Sequence, residues 1–125
     1  MPVGALGRIT SLASIAQLTP IEKGQIFNTA VGAAADFFAA ALLPTNTPTT
    51  FRIYVALNAA GLLYVRRTEG GVTVDEYLNS GNALNANAAY MFDILVRIGQ
   101  TINLRHSVGG TILCCIVEEV PGVIC

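Results

Sequence analysis

Few side chains in this sequence could do chemistry: one histidine, two acidic doublets and three cysteines. A hydrolytic triad needs its histidine beside a nucleophile and an orienting carboxylate. No G-x-S-x-G elbow or comparable nucleophile turn accompanies His106. Strand alternation puts His106 on one face with Ile102 and Leu104, so it is expected to be a core histidine, partly buried, with its hydrogen bonds met. Asp75-Glu76 and Glu118-Glu119 supply the carboxylates that glycoside cleavage would need as facing pairs. Neighbours on a strand point to opposite faces, so neither doublet makes such a pair. One member of each is expected at solvent or at a subunit contact. A calcium loop would need D-x-D-x-D-G spacing, which is absent. One histidine without a C-x-x-C leaves too few ligands for zinc. Cys114 and Cys115 are poorly placed to bond each other and are expected to act as small core hydrophobes. Cys125 would cross-link subunits only under oxidising conditions. Gly70-Gly71 and Gly109-Gly110 read as hairpin turns rather than phosphate cradles. The expectation is a non-enzymatic chain with no catalytic, cofactor-binding or metal-binding residue.

The composition points instead to association. The 125 residues form one domain of ordinary size. They are 53% hydrophobic and 12% charged, against about 25% charged in an average soluble domain. A folded monomer of this size exposes roughly 6,400 Å², which fifteen charged side chains cover poorly. Copies of the chain, or a partner, are expected to cover the rest. No run approaches the ~18 unbroken apolar residues of a spanning helix, so membrane insertion is not expected. The N-terminus lacks the apolar run of a signal peptide. Net charge is −1, and the seven cations are scattered: Arg8, Lys23, Arg52, Arg66, Arg67, Arg97 and Arg105. That excludes the basic stripe of a nucleic-acid binder. Arg outnumbers Lys six to one, which suits partly desolvated bidentate pairs. Arg66 and Arg67 with Glu69, and Asp93 with Arg97, are therefore expected as ion pairs at an interface or its rim.

These residues sit on short elements of period two. Phe51, Ile53, Val55 and Leu57 share one face of a strand over Thr50 to Asn58. Leu62 to Thr68 returns after a turn, and Glu69-Gly70-Gly71 leads by hairpin into Val72 to Leu78. Asn79 to Ala88 is a loop of residues that tolerate left-handed backbone, and its amides could bind a glycan. Tyr90, Phe92, Ile94, Val96 and Ile98 make the longest apolar face. Ile102, Leu104, His106 and Val108 follow, and Thr111 to Val120 ends the series.

Six strands at this spacing, with no helix between them, indicate an all-β antiparallel sandwich or jelly roll. Such a fold wants about eight strands. Gln25 to Val31 and Asp36 to Leu43 are expected to supply two more, although the alanines around Asp36 also suit a helix ended by Pro44. Residues 1–22 read as an extended N-terminal arm with apolar anchors Ile9, Leu12, Ile15 and Leu18, and residues 23–125 as the domain.

The runs Thr49 to Leu57, Leu63 to Arg67, Asn79 to Leu84 and Ile102 to Arg105 resemble those of small jelly-roll proteins of bacteriophage and archaeal-virus particles, of the head-decoration and fibre type. The resemblance implies a virion surface role, homo-oligomers (commonly trimers), and a major capsid protein as a possible partner. Secreted filament subunits that polymerise by strand donation share the same style, with Leu6 to Leu18 as the donor segment.

Overall fold

The computed structural model describes residues 20–45 and 49–121. Seven strands run in chain order: β1 (Ile21–Val31), β2 (Thr49–Leu57), β3 (Leu63–Glu69), β4 (Val72–Tyr77), β5 (Tyr90–Val96), β6 (Gln100–His106) and β7 (Gly110–Pro121). A single 3-10 turn covers Asn79–Gly81. The strands make two antiparallel sheets, one ordered β1-β7-β2-β5 and the other β4-β3-β6. Their facing sides close over one core, so the chain is a β-sandwich.

The core follows from the alternation. Phe51, Ile53, Val55 and Leu57 of β2 are buried, as are Leu63 and Val65 of β3, Ile94 and Val96 of β5, and Ile102 and Leu104 of β6. Each such side chain contributes about 1.5–3 kcal/mol when fully removed from water. The apolar faces expected after Tyr90 and Ile102 end sooner than their sequence patterns. Ile98 and Val108 sit in turns and are exposed, because the strands stop before either residue can point inward.

All six strands expected from Thr49 onward are present. The first 45 residues differ in two ways. β1 begins at Ile21, so the sheet already includes residues assigned to an arm ending at 22. Asp36 to Leu43, expected as a strand, is instead an irregular strap along the free edge of β6. Ala34 N–H donates to His106 O (2.8 Å), Phe37 N–H to Leu104 O (2.9 Å), and Leu42 N–H to Ile102 O (2.8 Å). Between Phe37 and Leu42 the strap bows outward while β6 advances only from Leu104 to Ile102. The gap is filled by the Asn103 side chain. Its Oδ1 accepts from Phe38 N–H (3.0 Å) and its Nδ2 donates to Phe38 O (2.8 Å). A side-chain amide thus replaces a rung of backbone pairing. The described residues hold seven strands and this strap, rather than eight strands.

β7 carries a bulge. Its register on β2 jumps between Ala56–Cys114 and Leu57–Ile112, which leaves Leu113 extra. On the other side, β1 pairs Phe27 with Cys114 and Thr29 with Ile112, and Asn28 between them adopts φ 47°. Beyond the bulge, Cys115, Val117 and Glu119 point inward and are fully buried. Cys114 lies on the outer face, so only Cys115 acts as the expected core hydrophobe.

Candidate interaction surfaces

The sandwich has two outer faces of different character. On the three-stranded sheet, the β3–β4 register sets Arg66 opposite Asp75. The guanidinium binds that carboxylate with both arms, at 2.9 and 3.1 Å. This hydrogen bond raises the Arg66 pKa and lowers that of Asp75. Arg105 holds Asp36 of the strap at 2.7 Å. Thr68 and Thr73 share a hydrogen bond, and the Tyr64 and Tyr77 rings lie 4.9 Å apart. This face is polar and internally paired.

Arg67 points the other way and bridges the two sheets at the rim of the sandwich. It donates to Leu95 O of β5 (2.6 Å), to Gln100 Oε1 (3.0 Å) and to Glu76 Oε1 (2.7 Å). Glu69, the expected partner of both arginines, accepts from Gln100 Nε2 at 3.2 Å instead. Arg67 and Glu69 of β3, Val72 and Val74 of β4 and Gln100 of β6 line a groove of about 300 Å³. Val72 and Val74 are exposed there. Adjacent arginines on one strand thus serve opposite faces, and the structure does not bring Arg66 and Arg67 onto a common surface.

The outer face of the four-stranded sheet is largely apolar. Register across β7, β2 and β5 lines up Ile116, Tyr54 and Met91 in one row, and Glu118, Arg52 and Asp93 in the next. Cys114 sits opposite both Phe27 and Ala56. Phe27, Met91 and Leu95 are 48%, 54% and 40% exposed, which marks this as solvent-facing apolar surface rather than core. A charged row crosses it: Glu118 stands opposite Arg52, and Arg52 binds Asp93 with both arms, at 2.9 and 3.2 Å. That hydrogen bond raises the Arg52 pKa. Arg97, expected to partner Asp93, lies past the end of β5, and cross-strand register assigns Asp93 to Arg52.

Glu119 and His106 are polar side chains that are also buried. Of the second acidic doublet, Glu119 is fully buried. It accepts from Thr45 N–H at 2.6 Å and pairs with Lys23 Nζ at 3.1 Å, so the loop before β2 is tied to the end of β7. Nothing in a Glu-Glu doublet distinguishes the buried member; only the shift in parity at Leu113 does. His106 is inward and fully buried, as its alternation implies. Its Nδ1 accepts from Gly109 N–H at 2.9 Å and Val108 N–H at 3.4 Å. The buried Nε2 has no hydrogen-bond partner among the described residues, which corrects the expectation of a fully hydrogen-bonded histidine. Gly61 packs so close that a Cβ there would stand 2.5 Å from His106 Cε1. Burial alone lowers the imidazole pKa.

The Asn79–Ala88 loop is pinned through buried Leu84, which exchanges backbone hydrogen bonds with Gly61. Asn79, Ser80 and Asn87 take positive φ within it. Among the described residues, no cluster of three or more His, Cys, Asp or Glu is placed to hold a metal ion. No helix among them is long and apolar enough to cross a membrane. The expected arm anchors Ile9, Leu12, Ile15 and Leu18 lie outside the described residues, as does Cys125. Comparison with known protein families and with characterised proteins returns no match.

Proposed function

We propose that this chain is a non-enzymatic structural subunit of a homo-oligomeric assembly, and that the assembly belongs to the surface of a virus particle as a decoration or fibre protein. The observation that carries this reading is the order of strand pairing. With the strap counted as a strand, the outermost pair is β1 with β7, followed by the strap with β6, β2 with β5, and β3 with β4. That is one long antiparallel hairpin wound around itself, with successive segments alternating between the two sheets. Such winding is the jelly-roll plan, common in viral capsid and lectin domains. Fold does not fix function, so the reading also leans on the surface. An apolar outer face on one sheet and a paired polar face on the other suit a subunit that is covered on one side and wet on the other.

Multi-angle light scattering on the purified full chain tests the assembly. The expected mass is an integral multiple of 13.1 kDa at micromolar concentration, and a stable monomer overturns the proposal. Negative-stain images then test the form. Closed particles or particle-bound spikes support the virion reading. Long fibres support the alternative, a filament joined by strand donation, which the edge of β4, unpaired among the described residues, favours.

A further inference from the structure

We infer that the outer face of the four-stranded sheet is a contact between two copies of this chain, stacked about a two-fold axis that runs along the strands between β7 and β2. The inference rests on the assembly reading above and names the surface that would build it.

Three observations select this face and this occupant. The first is the contrast between the two outer faces. Phe27, Met91 and Leu95 are exposed on the outer face of this sheet, whereas the outer face of the other presents the Arg66–Asp75 and Arg105–Asp36 pairs to water, with Tyr77 as its exposed large apolar side chain. The second is size. Four strands about 4.8 Å apart span about 19 Å, and nine residues of β2 at about 3.3 Å each run about 30 Å. Each copy then offers a footprint of roughly 570 Å², and the relief of side chains adds to it. Two copies pass the roughly 1,000 Å² that a specific interface requires.

The third is charge. Glu118 and Arg52 are directly opposite on neighbouring strands. A two-fold axis between those strands exchanges them, so Glu118 of one copy faces Arg52 of the other, twice over. The same axis sets Ile116 against Tyr54 and Cys114 against Ala56. The like-charged Glu22 and Asp93 meet at the lateral edges of the stack, on the outermost strands β1 and β5, where the twist of each sheet splays the two faces apart and Asp93 keeps its own pair with Arg52. An isologous contact needs a self-complementary patch of this kind.

Cys114 provides a direct readout, because it lies on this face one strand from the axis. Cys115 does not compete with it, since burial pushes that thiol up to about 12. In a Cys125→Ser background, a short bis-maleimide is expected to join two copies through Cys114, and Cys114→Ser is expected to abolish the cross-linked band. In parallel, Ile116→Arg and Met91→Glu are each expected to halve the mass seen by light scattering while leaving the thermal unfolding midpoint of the domain within a few degrees. Met91 is already half exposed, so its variant folds even if Ile116→Arg does not. If the chain assembles but both variants keep the parent mass, or Cys114 does not cross-link, this face is not the contact and the assembly reading stands. If the parent chain is a monomer at tens of micromolar, both fall.

Discussion

His106 is the residue whose surroundings most constrain what the protein can tolerate. Its Nδ1 holds the turn into β7 by accepting two backbone N–H groups, and its Nε2 is buried without a partner among the described residues. Protonation would place an uncompensated charge in the core and remove the acceptor. The folded state therefore has the lower imidazole pKa, and the unfolded chain binds the extra proton first. Stability should be full above the unfolded value of about 6.5 and fall as pH drops below it. Urea midpoints at pH 7.5 and 5.0 should show that loss, and His106→Leu should flatten the dependence in this window while lowering stability throughout. Asp75 acts in a separate window. Its pKa is lowered by Arg66, so the stability it adds is present above about 4 and lost on further acidification. At Glu119 the issue is a buried charge. Lys23→Met should cost about 3 kcal/mol in chemical denaturation, because it removes a cation that compensates a buried carboxylate. The inward placement of His106 was legible in the sequence, since parity with Ile102 and Leu104 determines it. The orphaned Nε2 was not, because it depends on how closely Gly61 approaches from the connection between β2 and β3. The partners of Arg52, Arg66 and Arg67 were missed for the same reason. Cross-strand register chooses them, and nearness in sequence does not.

At the scale of elements, the strands from Thr49 to Val120 were readable because an apolar residue at every second position has one backbone solution when a core lies on one side. The segment Asp36 to Leu43 gave mixed signals, with two phenylalanines beside three alanines, and it became neither helix nor strand. Its backbone groups are met by the edge of β6 and by one side-chain amide. Asn103 is therefore the fastening of an element that lacks its own regular pairing. Asn103→Leu should leave Phe38 N–H and C=O without their partner and cost about 1–3 kcal/mol. Native-state hydrogen exchange should show faster exchange at Phe37, Phe38 and Leu42, with β2 and β7 nearly unchanged. Uniform acceleration across all strands would mean that Asn103 supports the whole fold rather than the strap.

For the molecule as a whole, low charge alone leads to the expectation of a covered surface, without saying which one. The outer face of the four-stranded sheet depends on which residues of β7 point outward, and Leu113 decides that by shifting the phase of the strand midway. Periodicity read along a single strand does not reveal such a shift, because the extra residue is defined only against a neighbour. The matched offset in β1 has a consequence for how this fold can vary. Removing Leu113 alone would bring β7 into step with β2 but out of step with β1, where Asn28 occupies the corresponding place. Removing Asn28 alone would break the same pairing from the other side. Only a joint deletion leaves all three strands aligned, so insertions and deletions at these two distant sites should be inherited together, as a correlation of chain length rather than of residue type.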